Sequence, residues 1–418
     1  MSSTDTSAES AKARRHRKWR ERRANGTGRY AHVVGWGVEV PERVLTNHDL
    51  EKMVETSDEW IRERTGISER RIADDRDSTE SLGFRAARKA LAHANISPRD
   101  LDLIIVATSS PTHLFPATAN LIQDRLGASR AGAFDVLAAC TGFIYGLSLA
   151  AAQIESGAID TALVIGAETL SRIVDWTDRS TCVLFGDGAG AFVLRASDTP
   201  GGVRTCVLHS DGSGGDYLFA RSGVRLSWNG PPPEQSLVMN GREVFRFASR
   251  VMAQATEEVV AKAGLTVKDI DVIIPHQANV RIIQAAARGV GLPMERFFLN
   301  IDRYGNTSTA SIPRAGAAAV EKGGIQPNNR IVLVGFGAGL TWGAALIEWD
   351  VVPTAVSYFE EVLREGWYIL AHVRSLLRRL WRLLEAILWK TPNNRKPSAR
   401  LASRSGSSDQ PTKDTPDR

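Results

Sequence analysis

Two stretches of the chain repeat each other at a fixed distance, and that repeat limits the fold more than any other feature. ARKALAHANISPRDLDLIIVATSS (86–109) returns as EEVVAKAGLTVKDIDVIIPHQAN (257–279) at an offset of 169. Each copy reads as a helix, a short turn and an Asp-x-Ile-Ile strand. AAAQIESGAIDTALVIGAE (150–168) returns as AAAVEKGGIQPNNRIVLVGFGA (317–338), where the offset from Glu155 to Glu321 is 166. In both halves a helix ends near Gly and an apolar strand follows, the signature of βα units around a buried sheet. Two such halves imply a duplicated α/β fold with a pseudo-two-fold axis.

Composition divides the chain around this repeat. The net charge of +5 is the sum of +6 over residues 1–29, +5 over 351–418 and −6 over the middle. The basic charge therefore sits in the extensions, and a nucleic-acid-binding core is disfavoured. Residues 1–28 read as a basic, unstructured tail and 391–418 as a low-complexity tail. Between them the sequence suggests an N-terminal half (29–200), a C-terminal half (201–350) and a helical extension (354–390). Three cysteines, Cys140, Cys182 and Cys206, are far apart. That spacing fits neither a disulfide framework nor a zinc cluster, and suits the reducing cytoplasm.

The repeat also selects residues. Cys140 lies in FDVLAACTGFIYG, between an apolar run and an Ala-rich helical stretch. Adding 166 gives Asn306 in YGNTSTASIP, so each residue precedes the Ala-rich helix of its own half. The offset of 169 places His276, in PHQAN, at the carboxyl end of a strand, where ligands bind in α/β sheets. A pseudo-dyad would bring Cys140, His276 and Asn306 to one site. A helix's first turn can lower a cysteine's pKa, which would activate this thiol. The bland alternatives are a buried packing cysteine, a satisfied histidine and an Asn turn residue. Cys182 and Cys206 lack such a context and read as packing residues.

Eight motifs then carry a resemblance: TSDEWIRERTGISERRIA (56–73), ATSSPTHLFPATA (107–119), AACTGFIYG, WTDRSTCVLFGDGAGA (176–191), MNGREVFRFA (239–248), PHQANVRII (275–283), GNTSTASIP (305–313) and GFGAGLTWGAAL (335–346). In that order, over roughly 320 residues, the chain resembles the β-ketoacyl-acyl carrier protein synthase III family. The resemblance implies the five-layered αβαβα thiolase-like fold and a homodimer. It implies Cys140 as the acyl-carrying nucleophile, with His276 and Asn306 donating hydrogen bonds during decarboxylation. Trp60, Arg64, Thr65 and Arg179 match positions that hold coenzyme A, while Gly241 and Asn279 match the pantetheine channel. Arg281 matches the carrier-protein docking face, and Phe115 a residue reaching into the partner's acyl pocket. The backbone N–H groups of Cys140 and Ala338 match the oxyanion hole; Ala338 departs from the family's usual Gly, but only its backbone is needed.

The implied reaction condenses an acyl-CoA primer, acetyl-CoA first among candidates, with malonyl-acyl carrier protein to initiate fatty-acid synthesis. Coenzyme A enters as a substrate thioester; no permanent cofactor and no metal is expected. One rival is a condensing enzyme or acyltransferase of polyketide or specialised metabolism. Another is an inactive scaffold on a membrane or carrier protein, which retention of all three residues disfavours. The extension departs most from the family. Val373, Leu376, Leu377, Leu380, Leu383, Leu384, Ile387 and Leu388 share one helical face, opposite Arg374, Arg378, Arg379 and Arg382. Such a basic amphipathic helix, with Trp367, Trp381 and Trp389, suits peripheral contact with a membrane surface. The favoured reading is packing on the enzyme, on a dimer mate or as a helical hairpin.

Overall fold

The computed structural model describes residues 28–222, 236–351 and 358–388. The two tails, apart from Gly28, lie outside these residues. In chain order the strands of the two main sheets are β1 (Tyr30–Glu39), β2 (Leu103–Ala107), β3 (Gly132–Val136), β4 (Thr161–Glu168), β5 (Gly188–Ser197), β6 (Gly202–Ser210), β7 (Val272–Pro275), β8 (Asn329–Gly337) and β9 (Thr341–Trp349). The helices used below are α1 (Asp58–Thr65), α2 (Thr79–Ala94), α3 (Thr118–Leu126), α4 (Gly142–Glu155), α5 (Gly241–Lys262), α6 (Val280–Val290), α7 (Ser311–Glu321) and α8 (Tyr358–Leu388).

The sequence repeat becomes two sheets of matching topology. The first runs β1-β5-β4-β2-β3 and the second β7-β8-β9-β6. β2 pairs parallel with β4, and β4 antiparallel with β5. β7 pairs parallel with β8, and β8 antiparallel with β9. The counterpart of β3 shrinks to one parallel bridge between Ile273 and Phe297. Every residue of β2 and β4 is buried, as expected of strands covered on both faces.

Helices α4 and α7 form the central layer. Their Phe143, Ile144, Leu147, Ile312 and Ala315 share one core with Ile105 and Val164 of the first sheet and Leu333 and Ala345 of the second. A helix sandwiched between two sheets has little room, which explains the Ala and Gly content of α4. A Cβ on Gly142 would stand 2.9 Å from the Ala107 Cβ. Helices α2 and α3 cover the outer face of the first sheet, and α5 and α6 that of the second. The result is the αβαβα order of layers.

Spacing alone misplaced one equivalence. α4 begins at Gly142 and α7 at Ser311, an offset of 169. The residues just before them, Ala139 and Ser308, both adopt left-handed backbone, with φ of 43° and 47°. Cys140 therefore corresponds to Thr309, and Asn306 lies three residues earlier. The offset falls to 166 only beyond these corners, because α7 has 11 residues and α4 has 14.

Helix α8 is continuous over 31 residues, so the hairpin alternative fails. Its early part packs on the enzyme, as one favoured reading held. Tyr368 is buried edge-on to Phe84, with the Arg88 guanidinium 4.4 Å over its ring. Arg99 lies 4.8 Å over Trp367. The first compact unit ends at His372, and residues from Val373 form a second. In that unit the side chains of Val373, Leu376, Leu377, Leu380, Trp381, Leu383 and Leu384 are exposed. No described helix is long and apolar enough to cross a membrane.

Candidate active site

The carboxyl ends of the parallel strands converge on one cavity of about 920 Å³. Cys140, His276 and Asn306 all line it, together with Trp60, Arg64, Thr65, Gly241, Asn279, Arg281 and Ala338. The volume suits a drug-sized or larger ligand.

Cys140 sits in a single 3₁₀ turn between β3 and α4 and is 7% exposed. The helix start was expected to lower its pKa. Burial instead pushes the thiol up to about 12, outweighing the polar surroundings that favour the thiolate. At rest the residue is a thiol. Gly337 leaves the approach to this corner open, since a Cβ there would stand 2.8 Å from the Cys140 N and 3.3 Å from its Cβ.

His276 follows β7, and its N–H donates to the Val334 carbonyl at 2.8 Å. The ring stands 5.3 Å from Phe336, steeply inclined to it. Nδ1 lies 2.6 Å from the Ser311 hydroxyl, which also accepts a 3.4 Å bond from the Gln277 N–H. With the Ser311 hydroxyl donating to Nδ1, the imidazole proton sits on Nε2, which is buried without a hydrogen-bond partner. Burial pulls the histidine down to about 3, so it is neutral.

Asn306 is fixed through both backbone groups: its N–H donates to Leu184 and its carbonyl accepts from Gly186. Its Oδ1 accepts from the Ser308 N–H at 2.7 Å, which leaves Nδ2 as the donor. Two neutral donors and a thiol thus share one cavity. Arg70, buried beneath this segment, donates to the Val183 carbonyl at 2.8 Å and the Asn47 side chain at 2.9 Å.

At the outer end, Ser57 caps α1 by accepting from the Trp60 N–H, and Gly66 ends the helix at φ 81°. Arg179 and Arg64 lie 5.4 and 5.9 Å over the Trp60 ring. Arg179 does not line the cavity; it stands against the indole and donates to the Glu55 carbonyl at 2.6 Å. Thr65 does line it, yet its hydroxyl is engaged with the Ile61 carbonyl and the Ile67 N–H. Asn279 caps α6 and donates to the Arg64 carbonyl at 3.0 Å, joining the two walls. Gly241 opens α5 and Arg281 the first turn of α6. Phe115 is 85% exposed and outside this chain's own cavity lining.

Sequence reasoning missed three groups here. Ser311 and Ser308 were inside a quoted motif, and Glu168 inside a quoted repeat. Their signal is three-dimensional: a hydroxyl aimed at an imidazole, a left-handed corner, and a buried carboxylate.

The duplicated five-layered fold, with cysteine, histidine and asparagine meeting at strand ends, defines a thiolase-fold condensing enzyme. Residues 134–212 match the family described as 3-oxoacyl-[acyl-carrier-protein] synthase III, and 260–349 match its C-terminal family. A β-ketoacyl-[acyl-carrier-protein] synthase III of Symbiobacterium thermophilum is 53% identical over 321 residues, covering 76% of this chain and 97% of that protein. The crystal structure of 3-oxoacyl-[acyl-carrier-protein] synthase III from Aquifex aeolicus aligns with a TM-score of 0.72 at 47% identity, over 76% of this chain and 100% of that one. The corresponding Pseudomonas aeruginosa structure gives 0.72 at 40%, over 78% and 100%. The chain belongs to the β-ketoacyl-acyl carrier protein synthase III family of acyltransferases.

Proposed function

We propose that this chain joins an acyl-CoA primer, acetyl-CoA the first candidate, to malonyl-acyl carrier protein by decarboxylative Claisen condensation, initiating fatty-acid synthesis. The observation that carries this reading is the meeting of one buried thiol and two neutral donors in a cavity that reaches Trp60 and Arg64. Cys140 attacks the thioester carbon, and coenzyme A leaves. The backbone N–H groups of Cys140 and Ala338 receive the oxyanion. Malonyl-acyl carrier protein then docks near Arg281. His276 Nε2–H and Asn306 Nδ2–H both donate to its thioester carbonyl, stabilising the enolate left as carbon dioxide departs. That carbanion attacks the acyl-Cys140 carbonyl and releases the β-ketoacyl product. The test is stepwise addition: acetyl-CoA alone gives a protein-bound acetyl group, and malonyl-acyl carrier protein discharges it. No adduct with a panel of acyl-CoAs would favour the scaffold reading.

Coenzyme A fits the outer wall, where the Trp60 indole can stack on adenine and Arg64 and Arg179 can meet phosphates. Trp60→Ala and Arg179→Ala are expected to raise KM for acetyl-CoA by about tenfold each while kcat stays near wild type, because the lost contact serves ground and transition states alike. A fall in kcat at unchanged KM in steady-state assays contradicts the assignment.

A homodimer is supported by β3, an edge strand whose outer side is unpaired among the described residues, and by the exposed side chains of Phe115, Phe134 and Leu137. A cytoplasmic location agrees with this chemistry. For the extension, the exposed apolar side chains of 373–384, set among Arg374, Arg378, Arg379 and Arg382, support peripheral contact with an anionic lipid surface. Full-length protein should float with phosphatidylglycerol vesicles and lose this on deletion of 354–418. Failure to float assigns the face to protein packing.

A further inference from the structure

The cavity carries charge of one sign. Among the described residues Asp, Glu and Lys are absent from its lining, and its charged side chains are Arg64, Arg281 and Arg221. The family resemblance accounts for the first two. Arg221 lies between the motifs at 176–191 and 239–248, so the resemblance assigns it no role.

Its place follows from a small hairpin. Leu218–Ala220 pairs antiparallel with Leu237–Met239, which sets Leu218 against Met239 and Ala220 against Leu237. One end of the hairpin is tied to the start of α5, where the Asn240 N–H donates to the Tyr217 carbonyl at 2.7 Å. Gly241, matched to the pantetheine channel, follows directly. The other end reaches the outer wall. There the Leu237 N–H donates to the Ile173 carbonyl at 2.8 Å, and Leu237, Ile173 and Trp60 pack on one apolar cluster. Leu218, Phe219, Ala220 and Leu237 all line the cavity. The hairpin thus runs along the cavity from Gly241 towards Trp60, and Arg221 is the next residue beyond its Trp60 end. From Leu218 to Arg221 the chain covers about 10 Å at strand spacing. Arg221 is exposed, so its charge is not paid for by burial before a ligand arrives.

We propose that Arg221 is a specificity residue of the first half-reaction, its guanidinium taking a phosphoryl group of coenzyme A at the outer wall beside Trp60. This rests on a coenzyme A thioester as the primer. Coenzyme A carries a diphosphate and a 3′-phosphate, and a guanidinium offers each of them paired N–H donors in a fixed fork. Arg64 and Arg179 meet part of that charge; Arg221, approaching from the hairpin side, meets the rest. The carrier protein's arm brings a single phosphodiester, and a thioester of pantetheine alone brings none. The contact therefore favours coenzyme A thioesters over shorter ones that present the same reacting group.

Arg221→Ala in the full chain removes an exposed side chain, and its melting curve should match that of the wild type. The quantity to measure is the ratio of kcat/KM for acetyl-CoA to kcat/KM for acetyl-pantetheine, which shares the reacting thioester and lacks phosphate. The ratio is expected to fall about tenfold, through a raised KM for acetyl-CoA, and Arg221→Lys should restore part of it. An unchanged ratio overturns the proposal, whether neither thioester is affected or both are slowed alike. An effect confined to KM for malonyl-acyl carrier protein also overturns it, giving the guanidinium to the carrier's phosphodiester instead. If the wild-type chain turns over acetyl-CoA and Arg221→Ala keeps the ratio, the condensation reading still stands and only this contact is lost. A wild-type chain inert to acetyl-CoA sinks that reading itself.

Discussion

Cys140→Ala takes up no acetyl group from acetyl-CoA, whereas the wild-type chain gains about 42 Da, the mass of one acetyl replacing one proton. Intact-mass spectrometry reads both. The substitution removes a single sulfur from a small buried corner, at a cost of about 1 kcal/mol, which is small against ordinary domain stability. The variant should therefore fold, and its melting curve checks that. Loss of condensation is expected to exceed about 1000-fold, because no other group can hold the acyl chain while malonyl-acyl carrier protein enters. Cys182 and Cys206 offer no substitute. Cys182 is wholly buried in a separate apolar cluster, and Cys206 lies within β6. Neither lines the cavity. An adduct that persists in Cys140→Ala overturns the assignment.

His276→Ala and Asn306→Ala should separate the half-reactions. Neither residue is asked to activate the thiol, so acetylation persists in both. Each supplies one donor to the developing enolate, and losing one such donor costs about 100- to 1000-fold. Release of carbon dioxide from malonyl-acyl carrier protein measures this directly. The pH dependence follows from burial. An imidazole held near 3 is neutral throughout the working range, so decarboxylation should show no inflection at the usual histidine value of about 6.5. The Nε2–H needed as donor depends on Ser311, so Ser311→Ala is expected to weaken decarboxylation and spare acetylation. Equal loss of both half-reactions in His276→Ala would contradict this division of labour.

Much of the architecture was legible because helix, turn and strand recur as residue patterns. Asp102-Leu103-Ile104-Ile105 and Asp271-Val272-Ile273-Ile274 do become equivalent strand starts, β2 and β7. The equivalence of Cys140 and Asn306 was not legible, because α7 is three residues shorter than α4 and pattern matching cannot say where the deletion lies. Only the paired left-handed residues Ala139 and Ser308 fix the register. The thiol's acidity was misjudged for a related reason. A helix start is visible in sequence, but burial of the sulfur requires the packing of Gly337 and the 306–309 corner around it. Glu168 looked like any strand-ending acid until Ser110, Thr108 and the Ser109 N–H closed on it.

The position of β3 has one more consequence. The strand runs from Gly132 to Val136, and four residues later the backbone reaches Cys140. If the unpaired side of β3 is where two copies meet, subunit association and the reactive thiol share a single short piece of main chain. Dilution below the dimer's dissociation constant would then loosen the nucleophile's own support, and specific activity would depend on enzyme concentration.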